Sequence, residues 1–232
     1  MGSDQYTAFS VLSSTFADLQ NYHGQKFFFV TGSAGVGKSY LLSAIQQTLD
    51  KRRISYLKLA PTGIAAVNIQ GQTLHSALSM TTSNFGDKTT SHVTSIFKSE
   101  EKQRELRKHH VLLIDEVSMV SAELLAFLSS TFSRLHNNCQ PFGGVCVIAF
   151  GDLLQLPPVV RQTIFKSTLW RLFFPLFLTK SRRQEGDTDF IQLLNEVRVG
   201  NISAKSWEML SQIHQSYTLK STLYRSTFIV SY

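Results

Sequence analysis

The sequence has little cysteine and no long hydrophobic run. Only Cys139 and Cys146 are present in 232 residues, and their spacing fits neither a redox pair nor a zinc knuckle, so we expect reduced core thiols. No apolar run approaches the ~20 residues of a membrane span. The N-terminus has neither a signal-peptide core nor the arginine-rich, acid-poor composition of a transit peptide. These absences argue against a disulfide scaffold or membrane protein and predict a soluble intracellular one.

Acidic residues are also scarce. Sixteen Asp and Glu face 23 Lys and Arg, a formal charge of +7, with a pI near 9.5. Such an excess is typical of proteins that bind polyanions, but a solvated basic surface explains it equally well. With 43% hydrophobic residues, the chain can build one large α/β domain, or one domain and the beginning of another.

The most informative stretch is Gly32-Ser33-Ala34-Gly35-Val36-Gly37-Lys38-Ser39. An apolar run at 27–30 precedes it, and apolar residues at helical spacing follow it. This strand, glycine loop and helix form the phosphate-binding pattern G-x-x-x-x-G-K-[ST]. Backbone N–H groups would surround a triphosphate, Lys38 would reach its β- and γ-phosphates, and Ser39 would bind Mg²⁺.

The remaining chain alternates between strand and helix patterns and has no internal repeat, which predicts a doubly wound parallel sheet with flanking helices. We expect strands at 56–60, 111–114, 145–150 and 178–183, and helical segments at 5–20, 100–108, 164–177 and 187–199, the last capped by Gly200. A Ser/Thr-rich stretch makes 79–108 a small surface insertion.

Asp115 and Glu116 directly follow the apolar strand at 111–114. An isolated acidic pair is usually only a turn, but beside a phosphate loop it indicates a Mg²⁺ ligand, Asp115, and a base that activates water, Glu116. In a small-molecule kinase the acid would instead act on an acceptor. Gln155, after the next strand, is either a γ-phosphate sensor or a simple loop residue.

Three further groups of residues have open interpretations. Thr62 and Gly63 begin a helix, where phosphate of a nucleotide or of a nucleic acid can bind. His75 lies in a helical stretch, where a structural role is the more common one. Arg182 and Arg183 would either stabilise a transition state or belong to a basic surface.

Several motifs in order resemble one family of motor proteins. They are GSAGVGKS, APTGIAAVNIQGQTLHS, IDEVSM, FGG ahead of GDLLQLPPV, and RRQ ahead of FIQLLNEVRVG. This set resembles the Pif-type (petite integration frequency) family of superfamily one DNA helicases, in the RecD-like branch. The resemblance implies a P-loop NTPase fold with a RecA-like sheet, and an ATP-driven motor that moves 5′ to 3′ on single-stranded DNA and unwinds duplex or fork DNA.

The family's residues map onto matching positions. Lys38 and Ser39 match the phosphate-loop pair, Asp115 and Glu116 the Mg²⁺ ligand and catalytic base, and Gln155 the γ-phosphate sensor. The resemblance also assigns roles to six residues outside this group: γ-phosphate contact to Arg183, adenine recognition to Gln5 by a loose match, and contact with single-stranded DNA to Thr62, Gly63, Thr73 and His75.

The resemblance covers residues 4–200, and the motifs of a second motor domain are not found after Gly200. We therefore expect a motor domain at 1–180, with 181–232 as the start of a second domain or a linker. Such motors act by closing two domains around ATP, so we expect this chain alone to hydrolyse ATP slowly and without DNA stimulation.

The resemblance implies roles in DNA repair, recombination and telomere maintenance. It also implies a monomer without membrane contact, in the nucleus or, alternatively, the mitochondrion. A second interpretation is that the chain is an ATP- and DNA-binding module without productive unwinding. A P-loop kinase or transporter ATPase is the third, and the helicase-specific motifs disfavour it.

Overall fold

The computed structural model describes residues 1–19, 24–33, 35–80, 95–159, 161–179 and 188–214. The chain divides into two compact units, Met1–Arg183 and Gln184–Tyr232. No helix among the described residues is both long and apolar enough to cross a membrane. The assignment of 1–180 to a motor domain and of 181–232 to a second domain or linker remains a prediction.

A six-stranded sheet forms the centre of the first unit. All of its pairings are parallel, and the strand order is β3-β2-β4-β5-β1-β6. The strands are β1 (Phe27–Thr31), β2 (Tyr56–Ala60), β3 (Gln72–Thr73), β4 (Val111–Ile114), β5 (Cys146–Gly151) and β6 (Phe174–Phe177). The expected RecA-like, doubly wound α/β fold is therefore confirmed.

Helices cover both faces of this sheet. Successive residues of a strand point to opposite faces, and both sets are apolar, so both faces have to be buried. Phe28 and Val30 of β1 pack with apolar residues of α1, α2 and α3, while Phe29 packs on the opposite face with α6. The helices of this unit are α1 (Ser3–Thr15), α2 (Lys38–Lys51), α3 (Gly63–Asn68), α4 (Leu74–Ala77), α5 (Glu100–Arg107) and α6 (Ala122–His136). Burial on both faces explains why β4 and β5 are apolar throughout.

The predicted insertion at 79–108 contributes to the core as well as to the surface. Ile96 is fully buried and Leu106 is nearly so, while the rest of α5 presents charged side chains to solvent. Residues 81–94 lie outside the described part of the chain. The interpretation of the whole segment as an insertion stays a prediction.

The expected helix at 164–177 is wrong. The chain there forms two 3₁₀ turns, Ile164–Lys166 and Thr168–Leu172, and then strand β6. Pro175 is tolerated in β6 because this strand pairs only with β1 and lies at the edge of the sheet. Of the strand expected at 178–183, the described residues 178 and 179 lie outside any strand, although Leu178 N donates to Thr31 O at 2.8 Å and so continues the pairing of β6 with β1. Residues 180–183 lie outside the described part of the chain.

One of the two cysteines differs from the expectation. Both thiols are free, but Cys139 is exposed and only Cys146 is buried. Cys139 lies in the loop after α6, whereas Cys146 begins the central strand β5. Burial raises the pKa of Cys146 to about 12, so its thiol is not a reactive nucleophile.

The second unit contains α7 (Thr188–Val199) and a helical stretch at 204–214. Gly200 follows α7 with a left-handed φ of 72°, which confirms the predicted glycine cap. Within the unit, Ser203 N donates to Glu196 Oε2 at 2.8 Å, and Lys205 pairs with Asp189. These contacts connect the two helices.

Candidate functional site

The phosphate loop joins β1 to α2 as predicted. Gly35 and Gly37 have left-handed φ values of 80° and 88°, which glycine adopts without strain. A side chain at Gly32 would collide with the carbonyl oxygen of Leu178. Ala34 lies outside the described residues.

The side chain of Lys38 folds back over the phosphate loop. Its Nζ donates to the carbonyl oxygens of Gly32 at 2.7 Å and Ser33 at 3.0 Å, while Ser39 is exposed in the first turn of α2. The ammonium group therefore lies directly over the loop. A phosphate that entered there would replace carbonyl oxygens with stronger, charged acceptors.

Gln5 contacts the same loop from α1. Its side chain is only 3% exposed; Nε2 donates to Val36 O at 2.8 Å, and Oε1 accepts from Gly2 N at 2.9 Å. The position that a Cβ of Gly37 would take is occupied by Gln5 Nε2. The structure thus places Gln5 beside the nucleotide loop, where its amide supports the loop directly.

Asp115 and Glu116 follow β4 at the edge of the sheet where the phosphate loop lies. Burial raises the pKa of Asp115, and the Glu116 N–H and the Lys38 charge oppose that rise. Burial also raises the pKa of Glu116; Asp115 and Asp152 raise it further, while Lys38 lowers it. The two carboxylates therefore lie close enough to Lys38 for its charge to act on both, while their roles as metal ligand and base stay predictions.

Glu116 has a left-handed backbone, with φ 50° and ψ 45°, a strained conformation for a residue other than glycine. The end of β5 packs closely against this turn. A Cβ at Gly151 would lie 3.0 Å from Val117 N and 3.1 Å from Val117 Cγ1, so a larger residue would require Val117 to shift. This contact brings the ends of β4 and β5 together.

Asp152 is a member of the site that the sequence analysis did not assign. It is 1% exposed and directly follows β5, as Asp115 follows β4. Its Oδ1 accepts from Leu154 N at 3.1 Å, and its charge acts on Glu116. The sequence did contain a signal for Asp152, because it is a second acidic residue directly after an apolar strand.

Gln155 lies three residues further along the same turn, where its N–H donates to Asp152 O at 2.9 Å. Its side chain is exposed, which leaves its predicted sensor role open. Arg182 and Arg183 lie outside the described residues. Their predicted roles therefore stay predictions.

The predicted DNA-contact residues follow the neighbouring strands β2 and β3. Thr62 Oγ1 caps α3 by accepting from Ala65 N at 3.3 Å, and Thr73 Oγ1 caps α4 by accepting from Ser76 N at 3.1 Å. Gly63 faces open space, with no atom within 4 Å of a Cβ position. Since Ala60 pairs with Thr73 across the sheet, these segments lie side by side.

His75 is half-buried, and Arg161 lies close enough to influence it. Burial lowers the pKa of His75, and the charge of Arg161 lowers it further. Arg161 was not predicted, because it lies in a loop 86 positions after His75 in the sequence. The structure therefore adds a cation to the segment predicted to contact DNA.

Comparisons with known proteins agree with this arrangement. A family model described as PIF1-like helicase matches residues 3–208. The ATP-dependent DNA helicase PIF1 of Candida albicans is 38% identical over 194 residues, which cover 75% of this chain and 21% of that protein. The chain thus spans about a fifth of the length of this curated relative.

Solved Pif1 structures share the fold. A Bacteroides Pif1 helicase in complex with ADP-AlF3 and single-stranded DNA superposes with a TM-score of 0.75 at 31% identity, over 91% of this chain and 49% of that one. A structure of two coordinating Pif1 helicases at forked double-stranded DNA has a TM-score of 0.76 at 30% identity, over 91% and 51% of the two chains. Because the family model covers most of the chain and the fold agrees with these structures, the chain belongs to the PIF1-like helicase family.

Proposed function

We propose that this chain forms the first motor domain of an ATP-dependent DNA helicase that moves 5′ to 3′ along single-stranded DNA. The observation that carries the proposal is the group formed by Lys38, Asp115 and Glu116, whose charges act on one another at the mouth of the phosphate loop. This is the charge arrangement that hydrolysis of a nucleoside triphosphate needs.

Lys38 binds the β- and γ-phosphates in this mechanism. Its ammonium exchanges the carbonyl oxygens of Gly32 and Ser33 for phosphate oxygens. The glycine loop contributes backbone N–H groups, and Gln5 holds the loop in shape through Val36. Through this contact Gln5 limits how far the loop rearranges when phosphate binds.

Glu116 serves as the base that orients and deprotonates the attacking water. Its raised pKa makes it a better proton acceptor than an exposed glutamate. Asp152 favours the same protonation through its negative charge. Gln155 contacts the γ-phosphate or the water, and Arg183 approaches the γ-phosphate from the other side of the cleft.

The residues also fit a Mg²⁺ ion. Asp115 and Ser39 offer a carboxylate and a hydroxyl, the hard oxygen ligands this ion prefers. The raised pKa of Asp115 marks a buried carboxylate that a cation would stabilise in its charged form. When bound, the ion would neutralise charge on the β- and γ-phosphates.

A direct backbone path connects the nucleotide site with the proposed DNA contacts. Asp115 N donates to Leu59 O in β2 at 2.9 Å, and β2 leads to Thr62 and Gly63. Across β2, Ala60 pairs with Thr73, and His75 lies two residues after Thr73. We infer that a shift of Asp115 during the ATP cycle would be passed through β2 to the proposed DNA contacts that follow β2 and end β3.

The partners follow from the same proposal. Single-stranded DNA and duplex or fork DNA are the substrates, gripped through sugar and phosphate rather than by base sequence. DNA repair, recombination and telomere maintenance are the proposed settings. A monomer located in the nucleus, or alternatively in the mitochondrion, remains the prediction from the family.

Nucleotide and DNA binding by this chain test the proposal. We expect saturable ATP binding that Lys38→Ala abolishes, and binding of single-stranded DNA that is weakened by raised salt and by His75→Ala. ATP binding insensitive to Lys38→Ala, or DNA binding insensitive to His75→Ala, would contradict it.

The rate of ATP hydrolysis distinguishes the two interpretations of the chain, a working motor domain and a binding module without productive unwinding. In the binding-module reading, turnover is slow and does not respond to single-stranded DNA, which is the outcome we expect for these residues by themselves. Strong stimulation by DNA that disappears in Lys38→Ala would show instead that this domain is a complete DNA-dependent ATPase.

A further inference from the structure

An open cavity of about 630 Å³ lies at the edge of the sheet opposite the phosphate loop. Residues 52–54 precede β2 and His110 precedes β4, so the cavity lies where the parallel strands begin, whereas the nucleotide site lies where they end. Its polar lining is Arg52, Arg53 and His110, and its apolar lining includes Phe16, Leu19 and Ile54.

The two arginines have no carboxylate partner among the described residues. Arg52 donates only to Ser13, to the carbonyl oxygen at 3.1 Å and to Oγ at 3.5 Å. The nearby carboxylate of Asp50 is hydrogen-bonded to the Tyr56 hydroxyl. Both guanidinium groups are therefore available to an anion.

Two further histidines lie near His110. Burial lowers the pKa of His109, and His110 and Lys108 add to the effect while Glu105 opposes it. Burial also lowers the pKa of His136, with further contributions from His110 and Arg107. Because both pKa values are lowered, His109 and His136 are more readily neutral than a free imidazole, and the positive charge in the cavity itself is that of Arg52 and Arg53.

We propose that this cavity binds a nucleoside phosphate, either as one nucleotide of a nucleic-acid strand or as a free mononucleotide. The planar guanidinium groups of Arg52 and Arg53 match phosphate oxygens in geometry and charge. Phe16, Leu19 and Ile54 provide an apolar wall for the sugar and base. The volume lies within the range of roughly 300–1,000 Å³ found for small-ligand sites.

This second site is separate from the phosphate loop and goes beyond the helicase function proposed above. It gives the domain a phosphate contact on the face directed away from the nucleotide. A strand bound there would be held independently of Thr62, Thr73 and His75. The two surfaces can therefore be tested separately.

Methyl NMR of the full chain provides the test, with Ile54 as reporter in the cavity and the exposed Ile64 on α3 as reporter of the other surface. Ile54→Val and Ile64→Val assign the two signals. We expect thymidine monophosphate at millimolar concentration to shift Ile54 and not Ile64, also in a Lys38→Ala background. If an oligothymidine strand shifts the Ile54 signal, the ligand is a nucleotide within a nucleic-acid strand. If only the mononucleotide shifts it, the ligand is a free mononucleotide.

Charge variants establish whether the cavity is a defined site. Arg52→Gln combined with Arg53→Asn should weaken the Ile54 response at least about tenfold; Asn is chosen because Arg53 has a left-handed φ of 55° that Asn tolerates. Lys51→Gln removes an adjacent charge outside the cavity and should leave the response nearly unchanged. If the double variant unfolds, Arg53→Asn alone replaces it.

Three results would overturn the proposal. They are an Ile54 signal that does not move, an equal loss in Lys51→Gln, and an equal response to inorganic phosphate, which would remove the role of the apolar wall. If the Ile54 signal does not move while the Ile64 signal shifts with oligothymidine, this site is rejected and the proposed helicase function is left intact.

Discussion

The side-chain amide of Gln5 donates a 2.8 Å hydrogen bond to the carbonyl oxygen of Val36, within the phosphate loop. The contact joins α1 to a loop that begins 27 positions later in the sequence. It is buried, and the same side chain also binds Gly2 N. The first helix of the domain thus helps to shape the nucleotide site.

Replacement of Gln5 by Ala should weaken nucleotide binding through the loop. The change leaves buried backbone groups of Val36 and Gly2 without partners, at a cost of about 1–3 kcal/mol. We expect a lower melting temperature and weaker binding of both ATP and inorganic tripolyphosphate, measured by calorimetry. Thr7→Ala, on the exposed side of α1, is the control. Unchanged tripolyphosphate affinity with weakened ATP binding would indicate that Gln5 acts through adenine alone.

Gly151→Ala should disturb the turn that carries Glu116. Its Cβ would press on Val117 from 3.0 Å, and overpacking of this kind costs about 1–3 kcal/mol. We expect slower ATP hydrolysis and lower thermal stability, with ATP affinity reduced much less. Gly63→Ala is the matched control, because its Cβ meets open space. An unaltered hydrolysis rate in Gly151→Ala would show that the turn tolerates displacement.

Glu116→Gln should stabilise the nucleotide-free domain while it abolishes hydrolysis. Because the pKa of Glu116 is raised in the folded state, its stabilising contribution is complete below its unfolded pKa of about 4.5 and is lost as pH rises through the folded value. The variant should therefore melt at a higher temperature at pH about 7, and the difference should vanish at pH about 4. Hydrolysis should fall at least about 10²-fold.

Glu101→Gln, in exposed α5, is the control for that experiment. It should change neither the melting temperature nor the turnover. A stabilisation of Glu116→Gln that is the same at both pH values would argue against burial of the charge as its cause.

Arg161→Gln should weaken binding of single-stranded DNA and raise the pKa of His75. The positive charge of Arg161 lowers that pKa in the wild type, so its removal has the opposite effect, which proton NMR of the imidazole measures. If Arg161 contacts a phosphate, the slope of log affinity against log salt should decrease by about 1. Lys166→Gln, an exposed residue of the following turn, should alter neither quantity.

The two cysteines should differ in reactivity. In the native protein, a maleimide should modify the exposed Cys139 and spare Cys146, whose pKa is raised to about 12 by burial. In denaturant both should react. Mass spectrometry of wild type and Cys139→Ser checks this, and modification of native Cys139→Ser would reveal opening of the central strand.

The nucleotide half of the site was largely predictable from the sequence. The phosphate loop, the strand before it and the helix after it are contiguous, so the identity and spacing of Gly32, Lys38 and Ser39 were sufficient. The position of Asp115 and Glu116 followed from the apolar strand before them. Parallel strands end at one edge of a sheet, which made their meeting with Lys38 predictable.

The edge strand was not predictable in the same way. Its residues, Phe174–Phe177, continue an apolar segment that has no helix-breaking residue except Pro175, and an apolar run of this length is compatible with either helix or strand. Pairing with β1 decided between them. Local composition contains no information about that partner.

By itself the sequence determined the chemistry: a phosphate loop, two acidic residues after a buried strand, and the order of motifs that identifies the family. Each of these is a property of neighbouring residues. Only the tertiary structure decided that Gln5 supports Val36, that Asp152 acts on Glu116, that Arg161 lies near His75, and that Arg52 and His110 share a cavity. These pairs are distant in the chain, and the pairing of the strands and the packing of helices on the sheet bring them together.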